Sequence, residues 1–171
     1  MATLPRRICL IGPESTGKSW LAARLEREHG AAWAKEHARE YAETCGHDLT
    51  SADVEPIARG QMANLDRATG ELIVLDTDLL STVVYARYYY GSCPAWIEEE
   101  AKRRRADLYL LLDTDIEWNP DPVRDAGGEA REELFDLFRQ VLDEFATEWR
   151  IVSGGWEERW QQVVGAVSGE Q

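Results

Sequence analysis

Residues 8–11 form an uninterrupted apolar run, Ile8-Cys9-Leu10-Ile11, and the chain then passes through Gly12-Pro13-Glu14-Ser15-Thr16-Gly17-Lys18-Ser19. This G-x-x-x-x-G-K-S pattern limits the possible folds more than any other stretch of the sequence. An apolar run without alternation predicts a strand covered on both faces. Leu21, Leu25 and several alanines then predict a helix over 17–29, with Gly30 as its stop. A loop held between a buried strand and a helix N-terminus turns its backbone N–H groups toward an anion. Gly12 lets the chain leave the strand sharply, and Gly17 removes a Cβ that would block a phosphate. Lys18 is expected to carry charge to the β- and γ-phosphates of a nucleoside triphosphate, and Ser19 to complete a magnesium sphere. The expected nucleotide-binding stretch is therefore Gly12 to Ser19, with Trp20 next to it.

Beyond the loop, strands and helices alternate to the end of the chain. Strands are predicted at 6–11, 32–35, 72–75, 108–112 and 150–152. Thr50-Ser51-Ala52-Asp53 has capping-box spacing and opens a helix to about Ala68. Further helices are predicted at 79–90, from the Gly91/Pro94 break to about Arg104, through Leu134, Leu137, Phe138, Val141, Leu142 and Phe145, and at 156–167. This alternation implies an α/β fold: a three-layer α/β/α arrangement of the P-loop NTPase type around a mostly parallel five-stranded sheet. With 171 residues, no repeat and no linker, residues 1–171 are read as a single domain.

Three other stretches offer chemistry. The apolar run Leu72-Ile73-Val74-Leu75 ends in Asp76-Thr77-Asp78. An acidic group at that strand end can hold magnesium, so Asp76 is paired with Ser19 as a metal site. Asp78 is either an acceptor-side group or the N-cap of the next helix. Glu36-His37-Ala38-Arg39-Glu40-Tyr41 follows the second strand, where parallel sheets bind ligands. Glu36 there could take a hydroxyl proton and Arg39 could steady a phosphate, or the stretch is a solvated helix. Residues 116–128 read as a short lid bearing Arg124, with Arg131 just beyond and Trp118 at its opening as a stacking face.

Charge narrows the partners. With 32 acidic and 19 basic side chains, the formal net charge of −13 disfavours nucleic acid and anionic lipid. The basic run at 102–105 follows Glu98, Glu99 and Glu100 and reads as a solvated helix face. No apolar run reaches membrane-spanning length, and the polar N-terminus does not read as a secretory signal, so a cytoplasmic protein without membrane contact is expected. Cys9, Cys45 and Cys93 match no disulfide or zinc pattern, and the histidines show no partner at readable spacing. Most of the seven tryptophans, among them Trp149, Trp156 and Trp160, read as packing residues.

Four motifs occur in order: G-P-E-S-T-G-K-S at 12–19, E-H-A-R-E-Y at 36–41, L-D-T-D at 75–78 and D-T-D-I-E-W at 113–118. Together they resemble the ribosylnicotinamide kinase domain of NadR-type bifunctional proteins, within a wider group of AAA-like P-loop ATPases. The resemblance spans nearly the whole chain. It implies a nucleoside-kinase type of sheet, with the P-loop strand beside the strand ending in Asp76. It also implies ATP and Mg2+ as cofactors and phosphorylation of the 5′-hydroxyl of nicotinamide riboside, a small-molecule acceptor. On matching positions, Lys18 and Ser19 serve ATP and magnesium, and Asp76 and Asp78 lie near metal and acceptor. Arg39 and Tyr41 lie near the acceptor, with Arg124 in the lid. Lys18, Asp78, Glu36 and Arg124 are the expected catalytic set, and Arg39, Tyr41, Asp78 and Trp118 the substrate-binding set. Only a few residues precede the first strand where such proteins often carry an adenylyltransferase domain, so the adenylylating step is not expected of this chain. Two other readings stand beside this one: a kinase for another nucleoside, a vitamin or a polynucleotide 5′ end, and a P-loop ATPase or GTPase acting as a binding or regulatory module.

Overall fold

The structure, a computed structural model, describes residues 6–117 and 128–169. Its strands are β1 (Arg6–Ile11), β2 (Ala32–Ala34), β3 (Leu72–Asp76), β4 (Leu108–Leu112) and β5 (Trp149–Val152). Its helices are α1 (Lys18–His29), α2 (His37–Thr44), α3 (Val54–Arg67), α4 (Leu79–Tyr90), α5 (Ala95–Arg103), α6 (Gly128–Phe145) and α7 (Trp156–Val167). The sheet runs β2-β3-β1-β4-β5 with every pair parallel. The mostly parallel sheet expected from the sequence is thus wholly parallel, and β1 sits beside β3 as the resemblance implied.

The unbroken apolar runs follow from this burial. Successive side chains on a strand point to opposite faces, so a strand covered on both needs apolar residues at every position. Cys9 and Ile11 of β1, with Leu75, Tyr109 and Leu111 of its neighbours, face the core that α3, α4 and α6 cover. Ile8 and Leu10, with Val74, Leu108 and Leu110, face the core that α1 and α7 cover. The stripe predicted on α6 is buried against the first of these, through Leu134, Phe138, Val141, Leu142 and Phe145. Truncating one such leucine to alanine costs about 2–5 kcal/mol, so this frame sets the stability on which the site rests.

The structure departs from the sequence reading at element ends and in the stretch after β2. The capping box over 50–53 forms, but it first makes a 3-10 turn (Ser51–Asp53) before α3 continues. The stretch after β2 becomes α2, which carries no buried residue. The basic run also behaves as expected, with Arg103 and Arg104 pairing to Glu100. No helix among the described residues is long and apolar enough to cross a membrane. Because all strands run the same way, their carboxyl ends share one edge, and the loop after β1 opens at its centre.

Candidate active site

The loop after β1 is held by close backbone approach. Gly12 has φ 143°, and a Cβ there would stand 2.9 Å from the Leu112 carbonyl oxygen. Gly17 has φ 97°, and its Cβ would enter the Trp156 ring at 2.6 Å. Both glycines are therefore required by this fold as well as by a phosphate. Lys18 curls back so that Nζ donates to the carbonyls of Gly12 (2.8 Å) and Pro13 (2.6 Å). The Thr16 hydroxyl closes the same turn on Pro13 at 2.9 Å. From below, the fully buried Arg159 of α7 donates to the carbonyls of Gly154, Thr16 and Asp113 and pairs with Asp115. One guanidinium thereby ties the P-loop to the ends of β4 and β5.

Ser19 and Asp76 come together as predicted. Ser19 Oγ donates to Asp76 Oδ2 at 2.7 Å, while the buried Oδ1 of Asp76 has no partner. Burial and then the nearby charge of Glu36 push the Asp76 carboxyl above its ordinary value, and Ser19 and Lys18 draw it down. A hydroxyl and a carboxylate with one oxygen unspent are hard donors that fit a magnesium ion.

The two acidic groups of Asp76-Thr77-Asp78 are separated by Thr77, a β-branched residue held at φ 64°. That conformation is rare for such a side chain and turns the two carboxylates to different surroundings. Asp78 goes inward. It is buried, its Oδ1 caps α4 by accepting from Leu80 N at 2.9 Å, and its Oδ2 accepts from the Tyr109 hydroxyl. Burial raises its pKa to about 6. Both oxygens are engaged in the fold, and Asp78 lines neither cleft described below, which corresponds to the helix-cap reading.

Two clefts open at the sheet edge. One of about 240 Å³ runs along Ser15, Lys18 and Ser19 and is flanked by Arg39 and Trp156. The other, about 620 Å³, lies between α2, α3 and α4 and carries Thr77, Tyr85, Tyr89 and Tyr90. Glu14 and Glu36 belong to both, so the clefts meet at two carboxylates. The larger cleft also carries Glu43 and Asp48, and among its described lining residues there is neither lysine nor arginine.

The expected site residues fall into this geometry unevenly. Glu14, Ser15, Thr16, Gly17, Lys18, Ser19 and Trp20 all line the smaller cleft. Arg39 lines the smaller cleft and is not among the residues of the larger one. Tyr41 gives its hydroxyl to Asp53 at 2.6 Å and acts as a brace; its pKa rises to about 12 through that bond. Trp118 and Arg124 lie outside the described residues. His47, which showed no partner in the sequence, has Nε2 3.0 Å from the buried Asp53, and the pairing raises the imidazole's pKa. Sequence reasoning missed Arg159, whose partners are mainly carbonyls, and assigned Trp156 to packing. Trp156 is instead 46% exposed beside the P-loop, edge-on to Trp20. Arg131 is also buried, with donors directed at the carbonyls of Ser15 and Ile116. Cys9, Cys45 and Cys93 are free thiols, and no metal-binding cluster of His, Cys, Asp and Glu occurs among the described residues.

Sheet order, P-loop and the Ser19–Asp76 pair define the class: a P-loop domain of the nucleoside-triphosphate-binding type. Residues 7–159 match the AAA domain family, and the chain belongs to it. It is 28% identical over 171 residues to the trifunctional NAD biosynthesis/regulator protein NadR of Escherichia coli, covering 95% of this chain and 42% of that protein. A crystal structure of NadR protein in complex with NR superimposes with a TM-score of 0.75 at 27% identity, covering 96% of this chain and 49% of that one. A second NadR structure, in complex with NAD and AMP-PNP, aligns equally well. The chain thus spans about half the length of the relatives it matches. Deoxyadenosine kinase of M. mycoides shares the fold, with a TM-score of 0.64 at 14% identity and coverage of 95% and 99%.

Proposed function

We propose that this chain transfers the γ-phosphoryl group of ATP to the 5′-hydroxyl of nicotinamide riboside. The observation that carries the proposal is the larger cleft. It joins the phosphate cleft at Glu14 and Glu36, it is lined by four carboxylates, and its described walls hold no lysine or arginine. Such a surface repels an acceptor that already bears a phosphate, and it favours a cationic ring over a neutral one. Nicotinamide riboside is an unphosphorylated nucleoside whose pyridinium is positive. The tyrosines on α4 offer faces for that cation, with Tyr85 and Tyr89 stacked at 6.2 Å. The 27% identity to NadR solved with NR supports the same acceptor, and the AMP-PNP complex supports ATP as donor.

In this reading Lys18 exchanges its carbonyl partners for the β- and γ-phosphate oxygens when ATP enters the loop. Ser19 and Asp76 would hold magnesium, which would supply neutralising charge to the transferring phosphate. Glu36, on the wall between the clefts, takes the proton of the 5′-hydroxyl. The 5′-oxygen then bonds to the γ-phosphorus as the bond to the bridging oxygen breaks, giving ADP and the mononucleotide. From its place at the strand end beside Asp76, Asp78 is the carboxylate the sequence favours slightly over Glu36 as base, but it spends both oxygens inside the fold, so Glu36 takes the role here. Purified protein with ATP, magnesium and nicotinamide riboside is expected to yield ADP and the mononucleotide in equal amounts. If a panel of nucleosides gives no product above the Lys18→Ala background, the kinase reading is lost.

A further inference from the structure

Glu14, the third residue of the P-loop, is only 4% exposed, yet it lines both clefts. Neither of its carboxylate oxygens has a hydrogen-bond partner. The Arg131 guanidinium is near enough to feel its charge, but its two Nη groups donate to the Ser15 and Ile116 carbonyls. Tyr88 also feels that charge, while its hydroxyl donates to Glu133 at 3.1 Å. A carboxylate that accepts no hydrogen bond inside a protein is costly, so this site is completed by a ligand that brings donors. Two adjacent acceptor-only oxygens match two adjacent O–H donors.

Position narrows the ligand group further. The reacting 5′-hydroxyl has to stand at the junction of the clefts, beside Glu36. The hydroxyls nearest to it in a nucleoside are those of the same sugar ring. The base lies farther off, toward Tyr85, Tyr89 and Tyr90. We propose that Glu14 reads the 2′,3′-diol of the acceptor's ribose and makes the site select ribonucleosides over 2′-deoxyribonucleosides. The inference rests on the nucleoside-acceptor part of the function proposed above, but not on the nicotinamide base. A site built to hydrogen-bond a hydroxyl discriminates strongly against an analogue lacking it, because its own polar group is then left unpaired.

The test uses pairs of ribo- and 2′-deoxyribonucleosides with nicotinamide, adenine, cytosine or uracil as base, measured with the wild type, Glu14→Gln and Glu14→Ala. The wild type is expected to favour the ribo member by about tenfold or more in kcat/KM. Glu14→Gln is expected to bring that ratio to within about threefold of unity, mainly by raising KM for the ribonucleoside, while KM for ATP moves less than about threefold. A wild type indifferent to the 2′-hydroxyl overturns the proposal even if both variants fail to fold, which a thermal melt would reveal. An unchanged ratio in a folded variant, or a KM for ATP that rises in step with that for the acceptor, also overturns it. If nicotinamide riboside is not used but another base is, the proposed function fails while the ratio for that base still decides the role of Glu14. If no nucleoside is turned over, both fall.

Discussion

The smaller cleft, proposed to take phosphate, and the larger cleft, proposed to take the acceptor, meet at Glu14 and Glu36 but are built in opposite ways. The phosphate side comes largely from one run of residues, 12–19, acting through backbone geometry and a single lysine held by carbonyls of its own loop. The acceptor side is assembled from side chains of the P-loop, α2, the 45–50 connection, α3 and α4, from Glu14 to Tyr90. A backbone cradle for phosphate tolerates few changes, because each Cβ it excludes would strike the sheet or a ring. A wall of side chains can change its ligand by one substitution. The donor half should therefore lose function steeply on mutation, and the acceptor half should change its preferences.

The largest effect is expected at Lys18. Lys18→Ala should lower kcat/KM about a thousandfold or more, because it removes the ammonium held against the loop's own Gly12 and Pro13 carbonyls. Glu36→Gln should lower kcat by about a hundredfold or more while leaving ATP affinity near that of the wild type, checked by steady-state kinetics and titration calorimetry. Equal losses in ATP binding would move Glu36 to the donor half. Arg159→Ala strands three carbonyls and Asp115, and should cost roughly 3 kcal/mol in denaturant unfolding.

Asp78→Asn should be the mildest. Activity should stay within about threefold of wild type, whereas a hundredfold loss would return Asp78 to the chemistry. Its pH signature has a definite sign. The folded state raises the Asp78 pKa to about 6, so the folded chain binds more protons than the unfolded one between about pH 4 and that value. As pH rises across that window, wild-type stability should fall relative to the variant by about 3 kcal/mol, the equivalent of roughly two pKa units. Asp53 has the opposite sign. Tyr41, Thr50 and His47 hold its carboxyl below the ordinary range, so its contribution is complete at neutral pH and is lost as pH falls below about 4. Asp53→Asn should flatten the acid limb of a stability–pH profile.

The same contrast explains how much was legible in the sequence. The P-loop, the five strands and the Ser19–Asp76 pair could be read because each depends on a contiguous run and on the two-faced burial of a parallel sheet. Asp78 could not be assigned, since a carboxylate after a strand suits a helix cap and a catalytic group equally. The residue that decides it, Tyr109, sits 31 positions away on β4. Arg159 was silent because backbone carbonyls leave no residue signature. Trp156 looked like packing because nothing local shows that the start of α7 faces Gly17. Thr77 at positive φ also carries no warning in its residue type. Glu14 was read only as one member of the loop; its unpartnered carboxylate emerged with the second cleft.

In the proposed function the acidic cleft takes an unphosphorylated nucleoside. That is tested most directly by comparing kcat/KM for nicotinamide riboside with that for a nucleoside 5′-monophosphate such as thymidylate, at saturating ATP and magnesium. The riboside should be converted to its 5′-phosphate, with the monophosphate poorer by about a hundredfold or more. Preferential conversion of the monophosphate to a diphosphate would contradict it.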